Sequence, residues 1–187
     1  LTSRDIDQVG VWGFSMGGAV ALMTAPEAPE VKAVVSEASY ASLARMAPET
    51  FRFPVLRYPL GFMTGVWAKI FLGINIGDVS PAKAAKHIDI PVLIIHSTDD
   101  EVIPFSHAEL LKEALQHNPK AEFWFQENLF HGQLSAEYQH RIKDFFDGNL
   151  YLKSSCCFSG AHDFLEGQFK SVCALIHKAP CVIWHMV

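Results

Sequence analysis

The sequence lacks the features of nucleic-acid-binding and membrane-spanning proteins. Its 187 residues carry a net charge of −5, and the lysines and arginines are scattered, so we expect no nucleic acid partner. No apolar run is long enough to cross a bilayer, and the closest candidate, residues 53–76, is interrupted by charges and prolines. We therefore predict no transmembrane segment. The interrupting residues are Pro54, Arg57, Pro59 and Lys69.

The first 155 residues also lack cysteine, and the first seven lack an initiator methionine and a signal peptide. Disulfide bonds are possible in the tail, but the core offers no cysteine to support them. The sequence begins just before a strand that is apolar enough to belong to a core. We therefore expect that it starts in the middle of a domain.

Half of the residues are apolar, which is enough to build one globular core. Strands and helices alternate four times with short connections, which predicts an α/β fold with a mostly parallel sheet and flanking helices. The predicted strands are residues 8–14, 31–38, 90–96 and 121–126. The predicted helices are residues 17–25, 81–87, 105–117 and 135–146.

Residues 39–80 break this alternation, because they are rich in aromatic residues, methionine, proline and glycine. We interpret them as short helices. They are either a lid or insertion over the carboxyl edge of the sheet, or ordinary surface helices packed on the core. A lid of this composition favours a substrate with an apolar acyl or side-chain group.

A Gly-x-Ser-x-Gly-Gly turn, residues 13–18, stands between the first predicted strand and the helix that follows it. In such a turn the serine backbone is strained, and its hydroxyl projects above the sheet. Gly13 and Gly17 leave room for the tight turn, and the N-terminus of the following helix favours negative charge near Ser15. Taken alone, the pattern also fits a flexible loop, so its meaning depends on partners elsewhere in the chain.

A serine hydroxyl needs a general base, and the base needs a carboxylate to orient it. Candidates for both follow strands, as expected for groups at the carboxyl edge of a parallel sheet. Asp99 and Asp100 come after the third predicted strand, and either could be the acid. His131, followed by Gly132, comes after the fourth. The order along the chain is therefore serine, aspartate, histidine.

This arrangement resembles the α/β-hydrolase superfamily over residues 1 to about 149. It is most similar to the branch of serine aminopeptidases, prolyl-oligopeptidase-like proteins and small esterases. In the family pattern the acid falls on Asp100, while Ser97 replaces a glycine and Ile103 replaces a valine. Three motifs carry the resemblance: Gly13-Phe14-Ser15-Met16-Gly17, Val102-Ile103-Pro104 and Phe130-His131-Gly132.

The resemblance implies a serine hydrolase that cleaves a carboxylic ester or an amide bond through an acyl-enzyme. Ser15 would attack the carbonyl carbon, His131 would move the proton, and Asp100 would fix the imidazole. The backbone N–H of Met16 would donate to the oxyanion. The substrate is expected to be a small molecule or a peptide. No cofactor and no metal are implied, and the oligomeric state is left open.

Relative to a complete α/β-hydrolase, the strands that precede the nucleophile strand are missing, together with the loop that supplies a second oxyanion donor. We therefore expect the first strand to have an unpaired edge. We also expect the chain to be the C-terminal part of a longer enzyme, and to be poorly active or inactive alone. The alternative is a truncated or non-catalytic fragment with only an interaction role.

Residues 150–187 form an atypical tail that contains all four cysteines, and could be an extension, a read-through or an out-of-frame translation. Cys173, His177, Cys181 and His185 are spaced by four residues, but Pro180 interrupts any helix there. One straight helix face also cannot surround a tetrahedral zinc ion, so we expect no metal site.

Outside the tail, His96 is predicted to pack at a strand end. Four histidines are predicted to be solvated on helices: His87, His107, His117 and His140.

Overall fold

A computed structural model of the chain describes residues 8–49, 55–150 and 181–186. Strands and helices alternate along most of this length, as the sequence predicts. The strands are β1 (Gln8–Phe14), β2 (Val31–Glu37), β3 (Val92–Ser97), β4 (Ala121–Gln126) and β5 (Cys181–Met186). The helices are α1 (Met16–Thr24), α2 (Leu43–Glu49), α3 (Arg57–Trp67), α4 (Pro81–Ala85), α5 (Ser106–Ala114) and α6 (Tyr138–Asn149), with a π-helical turn over Ala68–Leu72.

All five strands pair in parallel, in the order β4-β3-β2-β1-β5. The β-branched and aliphatic residues of β2 and β3 are buried because helices cover both faces of the sheet. Parallel strands direct their carboxyl ends to one edge. The loops that follow β1, β3 and β4 therefore open at this same edge, and the candidate site is built there.

Two apolar clusters lie on opposite faces of the sheet. Alternate residues of β2 divide between them, since Val34 belongs to one cluster and Val35 to the other. Helices α1 and α5 cover the first face with residues such as Leu22 and Leu111. Helix α6 covers the second face with residues such as Ile142. The α/β fold class predicted from the sequence is confirmed by this arrangement.

The prediction that the first strand has an unpaired edge is wrong for the residues that the structure describes. Strand β5 pairs with β1 from Gln8 to Gly13, so β1 has a neighbour on each side. Parallel pairing allows a segment distant in sequence to supply the missing hydrogen bonds. The tail also contains a strand that the sequence did not predict. Cys181 and His185 lie on β5, whereas Cys156, Cys157, Cys173 and His177 fall outside the described residues.

The segment between β2 and α4 folds into short helices, as expected. Large apolar side chains on α3 and the π-helical turn face solvent, with Phe62 72% and Phe71 71% exposed. Helix α3 approaches α2 at Gly61, where a Cβ atom would lie 2.9 Å from the Cα of Pro48. In the part of the chain that the structure describes, we find no helix with the length and hydropathy needed to cross a bilayer. Whether the segment acts as a lid stays a prediction.

Candidate active site

Ser15 lies in a sharp turn between β1 and α1. It follows the last residue of β1 and directly precedes Met16, the first residue of α1. Its φ of 53° and ψ of −115° fall in a region that residues other than glycine rarely adopt. The backbone N–H of Ser15 donates to the carbonyl oxygen of Glu37 at 2.8 Å, which attaches the turn to the end of β2.

The glycines of the turn allow its two sides to approach each other. A Cβ atom at Gly13 would lie 2.2 Å from the carbonyl oxygen of Gly17, and one at Gly18 would lie 2.9 Å from the carbonyl oxygen of Gly13. Because α1 begins at Met16, the backbone N–H of Met16 has no acceptor within its own helix. This N–H is therefore available to a negative charge that develops beside Ser15.

Asp100 lies in the loop that follows β3, and its side chain is only 1% exposed. Its Oδ1 atom accepts hydrogen bonds from the backbone N–H groups of Val102 at 2.9 Å and Ile103 at 2.8 Å. Its Oδ2 atom lies 2.7 Å from Nδ1 of His131. Burial alone would raise the pKa of Asp100, but these hydrogen bonds hold it below its ordinary value. Asp100 is therefore ionised at neutral pH.

His131 lies between Asp100 and Ser15. With an ionised Asp100 as acceptor, the proton of the neutral imidazole lies on Nδ1. The other ring nitrogen, Nε2, then accepts the hydroxyl hydrogen of Ser15, whose Oγ lies 3.2 Å away. The ring also contacts the ring of Phe14, with 4.9 Å between centroids. The structure thus brings together Ser15, His131 and Asp100, three residues that lie far apart in sequence.

Asp99 and Asp100, either of which could be the acid on the residue pattern alone, have different surroundings in the structure. Asp99 is exposed, and its Oδ2 atom accepts from the backbone N–H of Asn128 at 2.8 Å and from the hydroxyl of Thr98 at 2.9 Å. These two donors lower the pKa of Asp99. Only Asp100 reaches the ring of His131, so the geometry favours Asp100 as the acid.

Glu37 is a buried acid beside the turn that the sequence analysis did not single out. It ends β2 and is 6% exposed, and its Oε2 atom accepts from Nε1 of Trp12 at 3.3 Å and from the hydroxyl of Tyr138. Burial raises the pKa of Glu37 to about 8, although the hydrogen bond from Trp12 lowers it in part. The available signal was an acidic residue at the end of a strand whose other residues are apolar except Lys32 and Ser36.

His107 was predicted to be solvated, and that prediction is wrong. It is fully buried on α5, where its Nδ1 accepts the backbone N–H of Ala41 at 3.0 Å and its Nε2 lies 2.8 Å from Glu49. His107 therefore connects α5 to α2 and to the segment before it. His96 is also buried, at the end of β3, and its Nε2 lies 2.9 Å from the carbonyl oxygen of Ile103.

Among residues 8–49, 55–150 and 181–186, no group of three or more histidine, cysteine, aspartate or glutamate side chains could hold a metal ion. Two hydrogen bonds connect Ser15, His131 and Asp100, with a helix N-terminus beside them. Such a site can activate a hydroxyl group and stabilise an oxyanion.

Comparison with known proteins identifies the family. The sequence model described as the prolyl oligopeptidase family matches residues 3–151, which is more than half of the chain. The protein YqkD of Bacillus subtilis, described as uncharacterized, is 30% identical over 149 residues. That alignment covers 74% of this chain and 48% of YqkD, so the chain spans about half the length of this curated relative.

Solved structures share the fold at lower sequence identity. A puromycin-hydrolyzing peptidase of Mycobacterium tuberculosis is 20% identical with a TM-score of 0.62, and the match covers 78% of this chain and 22% of the peptidase. The esterase Pf2001 of Pyrococcus furiosus is 22% identical with a TM-score of 0.57, covering 76% of this chain and 54% of the esterase. An acylaminoacyl peptidase of Pyrococcus horikoshii is 19% identical with a TM-score of 0.59, and the match covers 78% of this chain and 24% of the peptidase.

These structures are α/β-hydrolases, and at this level of identity they establish the fold rather than a substrate. The assignment to a family rests on the sequence match. By that match and by its fold, this chain belongs to the prolyl oligopeptidase family of α/β-hydrolases.

Proposed function

We propose that the protein is a serine hydrolase that cleaves a carboxylic ester or an amide bond through an acyl-enzyme. One observation carries the proposal: Ser15 Oγ, both ring nitrogens of His131 and Asp100 Oδ2 form one hydrogen-bonded chain, with steps of 3.2 Å and 2.7 Å. Each of the three residues follows a different strand at the same edge of the sheet. Membership of a hydrolase family adds independent support.

The first half of the reaction acylates Ser15. Its oxygen attacks the substrate carbonyl carbon while Nε2 of His131 takes the hydroxyl proton. The new imidazolium is stabilised by Asp100, which stays ionised. The carbonyl oxygen becomes an oxyanion next to the N–H of Met16, and one such donor is typically worth about 3 kcal/mol to the transition state. Collapse of this intermediate expels the alcohol or amine, which takes the proton from His131.

The second half of the reaction regenerates the enzyme. His131 removes a proton from water, and the resulting hydroxide attacks the acyl carbon. A second oxyanion forms and collapses, the bond to Ser15 Oγ breaks, and His131 returns the proton to that oxygen. The carboxylic acid product then leaves. Each proton that His131 accepts is given back within the same half-reaction, so a full turnover leaves the three residues unchanged.

For the substrate, we propose an apolar group on the acyl or the aminoacyl side. Helix α3 and the π-helical turn present exposed aromatic side chains, including Phe62, Trp67 and Phe71. Contact with an apolar substrate removes such surface from water at roughly 25 cal/mol per Å². Comparing kcat/KM for p-nitrophenyl acetate, butyrate and octanoate and for aminoacyl p-nitroanilides tests this. The expected order rises with acyl length, and a preference for the shortest ester contradicts it.

The catalytic assignment is tested by ester hydrolysis with single variants of the full-length protein. Ser15→Ala and His131→Ala should each lower kcat by about 10⁴- to 10⁶-fold, since the residues act as one unit. Ser106→Ala is the matched control, because Ser106 is a partly exposed serine that begins α5. It should keep wild-type kcat. Ester hydrolysis that survives in Ser15→Ala contradicts the proposed function.

A further inference from the structure

The two carboxylates on either side of Asp100 both bind the backbone of the loop that carries His131. Glu101 Oε2 accepts the N–H of His131 at 3.0 Å, and Asp99 Oδ2 accepts the N–H of Asn128 at 2.8 Å. Asp100 itself binds the ring of His131. Three consecutive acidic side chains therefore contact one loop at three separate points.

Hydrogen bonds within this loop join Phe130 to Gln133 and Gln126 to Ser135, but they do not involve the N–H groups of Asn128 or His131. It leads from Gln126, the end of β4, to Tyr138, the start of α6. Most of its side chains between Glu127 and Gln133 are exposed, so packing restrains it weakly. Asn128 has a φ of 59°, which is a strained conformation for a residue with a side chain. The hydrogen bond that the N–H of Asn128 donates to Asp99 attaches this turn to the neighbouring loop.

The two outer contacts are also suited to holding a backbone. A carboxylate that accepts an amide N–H makes a charge-assisted hydrogen bond, which is roughly twice as strong as a neutral one. The hydroxyl of Thr98 donates to the same Oδ2 atom of Asp99 at 2.9 Å and orients it towards the loop. The N–H of Thr98 donates to the carbonyl oxygen of Gln126 at 2.8 Å, which joins the two loops at their bases.

We propose that Glu101 and Asp99 are positioning residues that hold the backbone of the histidine loop, and thereby keep Nε2 of His131 within hydrogen-bonding distance of Ser15. Glu101 restrains the backbone of His131 itself, and Asp99 restrains the residue at which the loop turns. Neither side chain touches the reacting atoms. The inference rests on the proposed function for its kinetic consequence, but the restraint on the loop is a property of the folded chain.

Kinetics separate this role from a general effect on folding. Glu101→Ala removes the acceptor and should lower kcat for an ester by about 10- to 100-fold with little change in KM, because small displacements of a catalytic group cost this much. Glu101→Gln keeps an oxygen acceptor and should stay within about fivefold of the wild type, since a neutral hydrogen bond is weaker but similarly placed. Glu127→Ala, which removes an exposed carboxylate from the same loop, is the matched control.

Amide hydrogen exchange gives a readout that does not depend on activity. In the wild type and in Glu127→Ala, the N–H groups of Asn128 and His131 should be protected. Glu101→Ala should speed exchange at His131, and Asp99→Ala should speed exchange at Asn128, each by at least about tenfold. Thermal midpoints close to that of the wild type will show that the rest of the fold is intact.

The outcomes are distinguishable. If the wild type does not hydrolyse esters but the exchange pattern is as expected, the restraint on the loop stands and the proposed function fails. If Ser15→Ala abolishes activity while Glu101→Ala behaves like Glu127→Ala in both kcat and exchange, the positioning role is overturned. A Glu101→Gln variant whose kcat is as low as that of Glu101→Ala while the N–H of His131 stays protected from exchange also overturns it, because the charge rather than the held backbone would then matter.

Discussion

Replacing Glu37 with glutamine should change how the stability of the protein depends on pH. The folded protein keeps the proton of Glu37 up to a pKa of about 8, whereas the ordinary value of 4.5 applies once the chain unfolds. Between these pH values the folded state binds one more proton than the unfolded state. The free energy of unfolding must therefore fall as pH rises through this window.

The size of the effect follows from the difference between the two pKa values. Each unit of difference corresponds to about 1.4 kcal/mol, so the wild type should lose up to about 5 kcal/mol between pH 4.5 and pH 8 through this group. Glutamine has a similar shape, keeps an oxygen that can accept from Trp12 and Tyr138, and does not titrate. Glu37→Gln should match the wild type near pH 4.5 and be clearly more stable at pH 8 and above.

Urea unfolding followed by tryptophan fluorescence at half-unit steps from pH 5 to pH 9 measures this difference directly. Burial lowers the pKa values of His96 and His107, which gives a pH dependence of opposite sign, but both proteins share it and the subtraction removes it. Glu27→Gln controls for the loss of an exposed acidic side chain. A difference between wild type and Glu37→Gln that is the same at pH 5 and pH 8.5 refutes the reasoning.

Three further predictions test other parts of the structure. Gly13→Ala places a methyl group 2.2 Å from the carbonyl oxygen of Gly17, so it should destabilise the fold by about 4 kcal/mol or more in urea unfolding; wild-type stability would contradict the tight turn. The wild type should lose stability as pH falls below about 4, because the folded protein lowers the pKa of Asp100. Asp100→Asn should not show this loss, and parallel acid unfolding curves for the two proteins would contradict the prediction. Glu49→Ala leaves a buried ring N–H of His107 without its acceptor and should cost about 1–3 kcal/mol. Arg45→Ala, which removes only a partly exposed ion pair with Glu49, should cost less than about 1 kcal/mol, and equal costs would contradict the buried contact.

The parts of the fold that the sequence predicts are those that depend on local pattern. A stretch of ten residues is enough to recognise the β-branched runs of β2 and β3 and the glycine-flanked turn at Ser15. The order of the serine, the acid and the histidine, each after a strand, is also visible in the sequence. For parallel strands this order is enough to predict that the three residues meet at one edge.

The parts that the sequence does not predict depend on contacts between distant residues. The buried Glu37 accepts a hydrogen bond from Tyr138, 101 positions away. The buried His107 donates a hydrogen bond to Glu49, 58 positions away. Strand β5 is a short apolar run that becomes a strand by pairing with β1 across most of the chain. No local pattern distinguishes such residues from exposed ones, because their partners are known only once the chain is folded.

Asp99 and Asp100 are neighbours in the sequence, and local sequence alone does not predict which of them contacts His131. Both follow β3, and both accept hydrogen bonds from the histidine loop. The two differ because the N–H groups of Val102 and Ile103 donate to Oδ1 of Asp100 and orient its other oxygen towards the ring of His131. A family pattern selects the residue, whereas the physical reason is visible only in the structure.

The central claim is that Ser15 is an activated nucleophile, and covalent labelling of the full-length protein with a fluorophosphonate tests it most directly. Attack by Ser15 Oγ on phosphorus expels fluoride and leaves one adduct that mass spectrometry can assign to a peptide. We expect a single adduct on Ser15, absent in Ser15→Ala and formed far more slowly in His131→Ala, with Ser106→Ala labelled like the wild type. Labelling that persists in Ser15→Ala, or that proceeds at the wild-type rate in His131→Ala, contradicts the account.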